Sequence, residues 1–255
     1  MPNGLRAGVR VTSLVAEGTD IYAGTDGDGI FRSIDEGNTW QVYGTGTGTA
    51  TIDLLSIVGS VGLAKTSFPE GYLRSTDGGL HWTLVDSELL DAAGGTNEIF
   101  ITAGHAFVAT NRAGVLRSDD EGMSWKRASS GIFASAVSDI EDAGEAGVFV
   151  AIRDRGILRS KDQGETYETV LDYDGTMGIN QLGVSGNRIY AASHYDRILR
   201  SDDGGDTWLE IEQFQHNMVT LSFFFEVIDP DNPDNLRTDF MSVAYRHAAS
   251  NYEEN

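Results

Sequence analysis

Four arginines stand in three successive short segments of this chain: Arg112 within residues 111–114, Arg153 and Arg155 within 153–156, and Arg197 at the end of 193–197. Guanidinium forks match carboxylates, and the aromatic faces of His194 and Tyr195, beside Arg197, match sugars or side chains. Arg112, Arg153, Arg155, His194, Tyr195 and Arg197 are therefore the candidate ligand-binding set, with local pairing to Asp154 and Asp196 as the competing use of the same arginines. Asp26, Asp28, Glu70 and Asp154 are candidates for hydrolysis of a glycosidic bond, which needs two carboxyl groups at a set separation. Other chemistries find no residues. The histidines at 81, 105, 194, 216 and 247 have no His-Glu-x-x-His spacing, so no metal site is expected, and the chain has no cysteine. Gly44-Thr-Gly-Thr-Gly48 is followed by the strand-like run Thr51–Val58 rather than a helix, which makes it a connection and not a phosphate loop. No cofactor is expected.

A nine-residue unit organises the rest. It begins at Arg32, Arg74, Arg117, Arg159 and Arg200, reads Arg-Ser-x-Asp-x-Gly-x-x-aromatic, and places its aspartates at Asp35, Asp77, Asp120, Asp162 and Asp203, with spacings of 42, 43, 42 and 41. All four tryptophans, Trp40, Trp82, Trp125 and Trp208, end a unit, and Tyr167 ends the fourth. The glycine suits a turn at positive φ, and the aspartate can accept hydrogen bonds from turn amides. Five equivalent aspartates on five repeats cannot converge on one substrate, so these residues are expected to fasten turns. The leading arginines, recurring in the same frame, are expected to be solvated strand positions or partners of a neighbouring acid.

The pattern Ser-x-Asp-x-Gly-x-Thr-Trp resembles the Asp-box, or bacterial neuraminidase repeat, of sialidases, sortilin-type receptors, xyloglucan-active glycoside hydrolases and photosystem assembly factors. The likeness covers residues of about 11 to 211 and departs at His81 and Tyr167. It implies a β-propeller, an extracytoplasmic or secreted setting, and one of two functions. The first is a non-catalytic binding or scaffold module that recognises a protein or glycan through the loop face opposite the boxes. The alternative is a carbohydrate-active hydrolase, sialidase-like or xyloglucanase-like, or a fragment of one. The Arg-Ile-Pro segment that accompanies sialidase catalysis is missing from this sequence.

The intervening composition is that of strands. Short apolar runs such as Ile21–Gly24, Ala106–Ala109, Val148–Ala151 and Ile189–Ala192 precede the units, and further runs at Val11–Ala16, Ile52–Val58, Glu98–Thr102 and Ile179–Val184 precede those. Each period then holds about four strands, the content of one propeller blade, with the box aromatic filling space between blades. The expected fold is all-β: one domain over 1–255, with five four-stranded antiparallel blades over about 8–215. A partial or velcro-closed sixth blade follows over 216–249, then a frayed tail over 250–255. The Pro/Asp/Asn stretch at 229–235 is accounted for by turn chemistry rather than a calcium site.

Charge narrows the partners. Against 18 Lys+Arg the chain carries 39 Asp+Glu, a net charge of −21, which repels a nucleic-acid backbone. No run is apolar enough for membrane insertion, since Leu221–Ile228 is interrupted by Glu226. Lysine occurs only at 65, 126 and 161 while acids are spread throughout, a pattern expected of adaptation to high salt.

Overall fold

The computed structural model describes residues 4–5, 8–102, 104–128, 130–132, 136–172, 178–193, 197–213, 220–223 and 241–244. The chain forms two compact units, Met1–Ile140 with Gly164–Thr166, and Glu141–Gln163 with Tyr167–Asn255.

Five four-stranded antiparallel sheets follow in chain order. The first is β1 (Val11–Glu17), β2 (Asp20–Thr25), β3 (Ile30–Ser33) and β4 (Gln41–Val42); the second is β5 (Thr51–Val58), β6 (Val61–Phe68), β7 (Glu70–Ser75) and β8 (Thr83–Leu84). The third comprises β9 (Thr96–Thr102), β10 (His105–Thr110), β11 (Val115–Ser118) and β12 (Lys126–Arg127). The fourth has β13 (Val137–Asp142), β14 (Val148–Ile152), β15 (Gly156–Ser160) and β16 (Glu168–Asp172); the fifth has β17 (Ile179–Ser185), β18 (Arg188–Ser193), β19 (Arg197–Ser201) and β20 (Leu209–Gln213). β21 (Thr220–Phe223) and β22 (Met241–Ala244) pair as an incomplete sixth. Among the described residues helix is limited to α1 (Glu88–Asp91), started by Ser87, whose hydroxyl accepts from Leu90 N, and to one 3-10 turn at Gly144–Ala146.

The second strands are almost wholly apolar because neighbouring sheets cover both their faces: Ala106, Phe107, Val108 and Ala109 of β10 are all buried, as is every residue of β14. In the first unit, Tyr22 and Ile30 meet Ile52, Leu55, Ile57 and Trp82 of the second sheet. Leu63 and Tyr72 meet Ile99, Ile101 and Leu116 of the third. In the second unit Phe149 and Ile157 meet Ile179, Leu182 and Ile189. Trp82 thus fills space between two sheets, as expected of the box aromatic, and Trp125 and Trp208 pack on the other two clusters.

The innermost strands carry a device that the alternation pattern did not disclose. An extra residue interrupts the register at Thr12, Asp53, Asn97 and Asn180, giving a β-bulge one position into β1, β9 and β17 and two positions into β5. The freed polar side chains are put to use. The Thr12 hydroxyl donates to Ile52 O, and Asn97 Nδ2 donates to Val137 O at 2.7 Å, each linking one inner strand to the next.

The glycine-rich stretch is a connection. Thr45 N donates to Leu80 O and Trp82 N to Thr45 O at 2.8 and 2.9 Å, so it lies flat on the next copy of the nine-residue unit. A Cβ on Gly46 would stand 2.2 Å from Trp82 O, which is why glycine is needed there.

Candidate functional site

In every sheet the turn between its first two strands and the hairpin between its last two share one end, and the loop between its middle strands lies at the other. The hairpin end holds the repeated unit. In the first copy, Ser33 Oγ donates to Asp35 Oδ1 at 2.8 Å and accepts from Gly37 N at 2.8 Å. Asp35 Oδ1 accepts from Thr39 N at 2.7 Å and Oδ2 from the Thr39 hydroxyl at 2.6 Å, and Trp40 Nε1 donates to Gly37 O. The pattern returns around Asp77, Asp120 and Asp203, with the indole bond also made by Trp82 and Trp208. The Asp162 carboxylate accepts from Ser160 Oγ at 2.7 Å, and Tyr167 is buried in the aromatic's position. His81 replaces the threonine by pairing its Nδ1 with Asp77 Oδ2 at 2.5 Å. These bonds hold the carboxyls of Asp77, Asp120 and Asp203 down at about 2 and that of Asp35 below its ordinary range, although burial of Asp120 works the other way. The aspartates fasten turns.

The leading arginines are not solvated strand positions. Arg117 and Arg159 are only 5% and 7% exposed, and each reaches the next copy's turn. Arg74 Nε donates to Glu121 O at 2.5 Å, and Arg159 Nη1 donates to Gly204 O and Asp206 at 2.8 and 2.7 Å. Arg117 lies 2.7 Å from both Asp119 and Glu165; its Nη1 contact with Glu165 is an ion pair whose N–H does not point along a hydrogen bond. Arg32 and Arg200 instead pair within their own sheets, with Asp20 and Asp202.

A cleft of about 690 Å³ also lies at the hairpin end, in the second unit. Its four aspartates already have partners: Asp142 accepts from Gly144 N, Asp202 pairs with Arg188 and Arg200, Asp203 holds its turn and Asp206 holds Arg159. Among the described residues no three His, Cys, Asp or Glu side chains could hold a metal ion.

The loop end differs. Arg112, in the first unit, and Arg153, in the second, are exposed. Arg155 shares the loop of Arg153 and is half-buried. Arg197 opens β19 and pairs with Glu210 at 3.1 Å, while Asp196 of its own loop lies outside the described residues. His194 and Tyr195 lie outside the described residues. Of the carboxylate candidates, Asp26 accepts from the Thr51 hydroxyl at 3.1 Å and lies 3.7 Å from Arg10; Glu70 lies 3.5 Å from Lys65; Asp154 is exposed. Residues 66–71, which hold Glu70, are mostly strand, because Thr66 pairs with Gly71 and Ser67 with Glu70.

Two features at this end escaped the sequence pattern. A cleft of about 310 Å³ opens between the β6–β7 turn and α1, lined by Lys65, Glu70, Gly71, Tyr72, Leu90, Asp91 and Gly95. Lys65 Nζ sits 5.0 Å above the Tyr72 ring and donates to Thr66 O at 2.9 Å; the Tyr72 hydroxyl bonds that of Thr96. Two residues along β9 from Thr96 is half-buried Glu98. Burial, and then the charge of Asp139, push its carboxyl up to about 8, against one hydrogen bond from Ile99 N.

No protein-family model and no curated protein matches the chain. Solved structures do. The GH74 enzyme of Niastella koreensis is similar over 84% of this chain and 39% of its own, at 18% identity and a TM-score of 0.61. The GH74 xyloglucanase of Xanthomonas campestris is similar over 90% and 44%, at 16% identity and a TM-score of 0.61. YCF48 from Cyanidioschyzon merolae aligns over 86% and 91%, at 17% identity and a TM-score of 0.46. The chain thus spans about two fifths of the length of these GH74 enzymes. Five four-stranded antiparallel sheets with almost no helix, together with the GH74 likeness, make the fold a β-propeller with an incomplete sixth blade.

Proposed function

We propose that this propeller is a binding or scaffold module that recognises a protein or glycan ligand with its loop end, and that its five fastened hairpins are Asp-boxes. The contrast between the two ends carries the reading. At the hairpin end the box aspartates and most leading arginines are consumed by turns and by links between copies. At the loop ends of their sheets Arg112, in the first unit, and Arg153, in the second, are exposed and enter no ion pair among the described residues, and in the first unit an open cleft stands on the second sheet, which precedes that of Arg112 in chain order. Side chains that the fold does not use are the ones available to a ligand.

The test is a binding screen of the full chain against glycans and peptides, together with fluorogenic sialosides and β-glucans. Saturable binding weakened by Arg153→Ala or Arg155→Ala, without turnover, supports the module. A second reading, hydrolysis, is favoured by one observation: Glu98 keeps its proton to about pH 8 near a second carboxyl, Asp139, as a general acid must. Turnover of a glycoside that Glu98→Gln and Asp139→Asn both abolish would replace the first reading by this one.

A further inference from the structure

Lys65 breaks the repeat. The strand registers pair Ser13 with Gly24, Leu54 with Lys65, Glu98 with Ala109 and Gln181 with Ala192, so Lys65 occupies a position where the first, third and fifth sheets carry glycine or alanine. The fold has no need of a long cation there, yet it buries one: the Lys65 side chain is 14% exposed, and its stem and ammonium lie against Tyr72. Burying an ammonium is unfavourable unless its donors are used. One N–H goes to Thr66 O. Glu70 is 3.5 Å away, beyond a good hydrogen bond, and its side chain is 85% exposed. The ammonium therefore retains donor capacity where the cleft opens.

From this geometry, and resting on the loop-end binding reading above, we infer that the cleft is a subsite for one neutral sugar unit. Lys65 Nζ donates to a ring or hydroxyl oxygen, Glu70 and Asp91 accept from hydroxyls, and Tyr72 and Leu90 form the floor. The charges select the class. An anionic ligand would meet Glu70 and Asp91, and a cationic one would meet Lys65. A neutral polyol satisfies all three, because each hydroxyl both donates and accepts. The volume, about 310 Å³, is at the small end of ligand pockets, which run from roughly 300 to 1,000 Å³. Phe68, 75% exposed two residues from Glu70, offers a flat apolar surface beside it for a neighbouring unit of an oligosaccharide.

The experiment is NMR titration of the full chain with neutral disaccharides (cellobiose, lactose), with glucuronate and with glucosamine. Amide shifts confined to 65–72 and 88–96, saturable with a neutral disaccharide and absent with the two charged sugars, are expected. Glu70→Ala and Asp91→Ala remove surface side chains, leave the fold intact by their spectra, and should each weaken binding about tenfold or more, the equivalent of about 1.4 kcal/mol. Shifts driven by glucuronate or glucosamine instead would overturn the assignment to a neutral sugar. If a glycan binds but its shifts fall outside these segments and depend on Arg153, this subsite is wrong while the module reading stands. If no glycan or peptide binds the chain at all, both fall.

Discussion

Replacing Glu98 by glutamine should make the protein more stable in alkali. In the folded chain the Glu98 carboxyl is held up at about 8, whereas in the unfolded chain it returns to its ordinary value of 4.5. Between those values the folded state holds a proton that the unfolded state does not, so stability is complete below about pH 4.5 and falls as pH rises through 8. Each pKa unit corresponds to about 1.36 kcal/mol, so the full interval would be worth about 5 kcal/mol. Water reaches part of this half-buried group and Asp139 shares the titration, which brings the expected loss between pH 5 and pH 9 to about 2–3 kcal/mol. Glutamine reproduces the protonated shape, accepts from Ile99 N and cannot ionise. Urea unfolding of wild type and Glu98→Gln should give similar stabilities at pH 5 and curves that separate by about 2–3 kcal/mol at pH 9. Parallel curves across that range would refute the claim that Glu98 is protonated in the fold.

The box aspartates act with the opposite sign. Their carboxyls sit at about 2 for Asp77, Asp120 and Asp203, so the stability they confer is present above about pH 4 and disappears as pH falls towards 2. Asp120→Asn should lower the melting temperature at pH 7 and flatten its decline between pH 4 and 2, followed by circular dichroism. Glu36 is exposed and holds φ 58, a left-handed conformation unfavourable for any side chain, so Glu36→Gly should stabilise by about 0.5–1 kcal/mol in urea unfolding. Arg117→Ala should destabilise by about 2 kcal/mol, through lost stem packing and two lost ion pairs; Arg117→Met should recover the packing share in the same assay. With a net charge of −21, self-repulsion should weaken under screening, and the melting temperature should rise from low to molar salt; an unchanged value would remove the expectation of salt adaptation.

Where the sequence repeats, its reading carried far. The period near 42 located five sheets, and Ser33, Asp35, Thr39 and Trp40 bond as their types require. Less was visible where a backbone requirement is met by unlike residues. Two consecutive residues in each box turn have positive φ: the glycine, and the residue before it, which is Glu36, Gly78, Glu121, Gln163 or Gly204. Only two of those five are glycine, so no composition signal marks the position. The bulges left a fainter trace, a polar residue such as Asp53 or Asn97 early in an otherwise apolar strand. Ser87-Glu88 was an available helix start before α1. The cleft and the elevated Glu98 were illegible because both depend on which strands become neighbours. Lys65 lies over Tyr72 only through the β6–β7 register, and Glu98 senses Asp139 only because the third and fourth sheets are consecutive.

Repetition also separates scaffold from function. A residue required by every blade, such as the box aspartate, appears in every blade and satisfies its bonds locally, so it has little left for a ligand. Thr25 and Thr110 obey the same rule at the loop end, each donating its hydroxyl to the carbonyl of a glycine four residues on, Gly29 and Gly114. A ligand approaching one point of the molecule needs residues that occur once. Lys65 stands where the first, third and fifth sheets carry small residues, and the equivalents of Glu98 in the first, second and fifth sheets are Ser13, Leu54 and Gln181. Each of these exceptions places in the sheet a partly buried ionisable group that the sheet itself does not need, a charged ammonium at Lys65 and a carboxyl kept neutral at Glu98. Such a cost is consistent with a role outside the fold, and each residue lies towards the loop end of its own sheet, Lys65 of the second and Glu98 of the third.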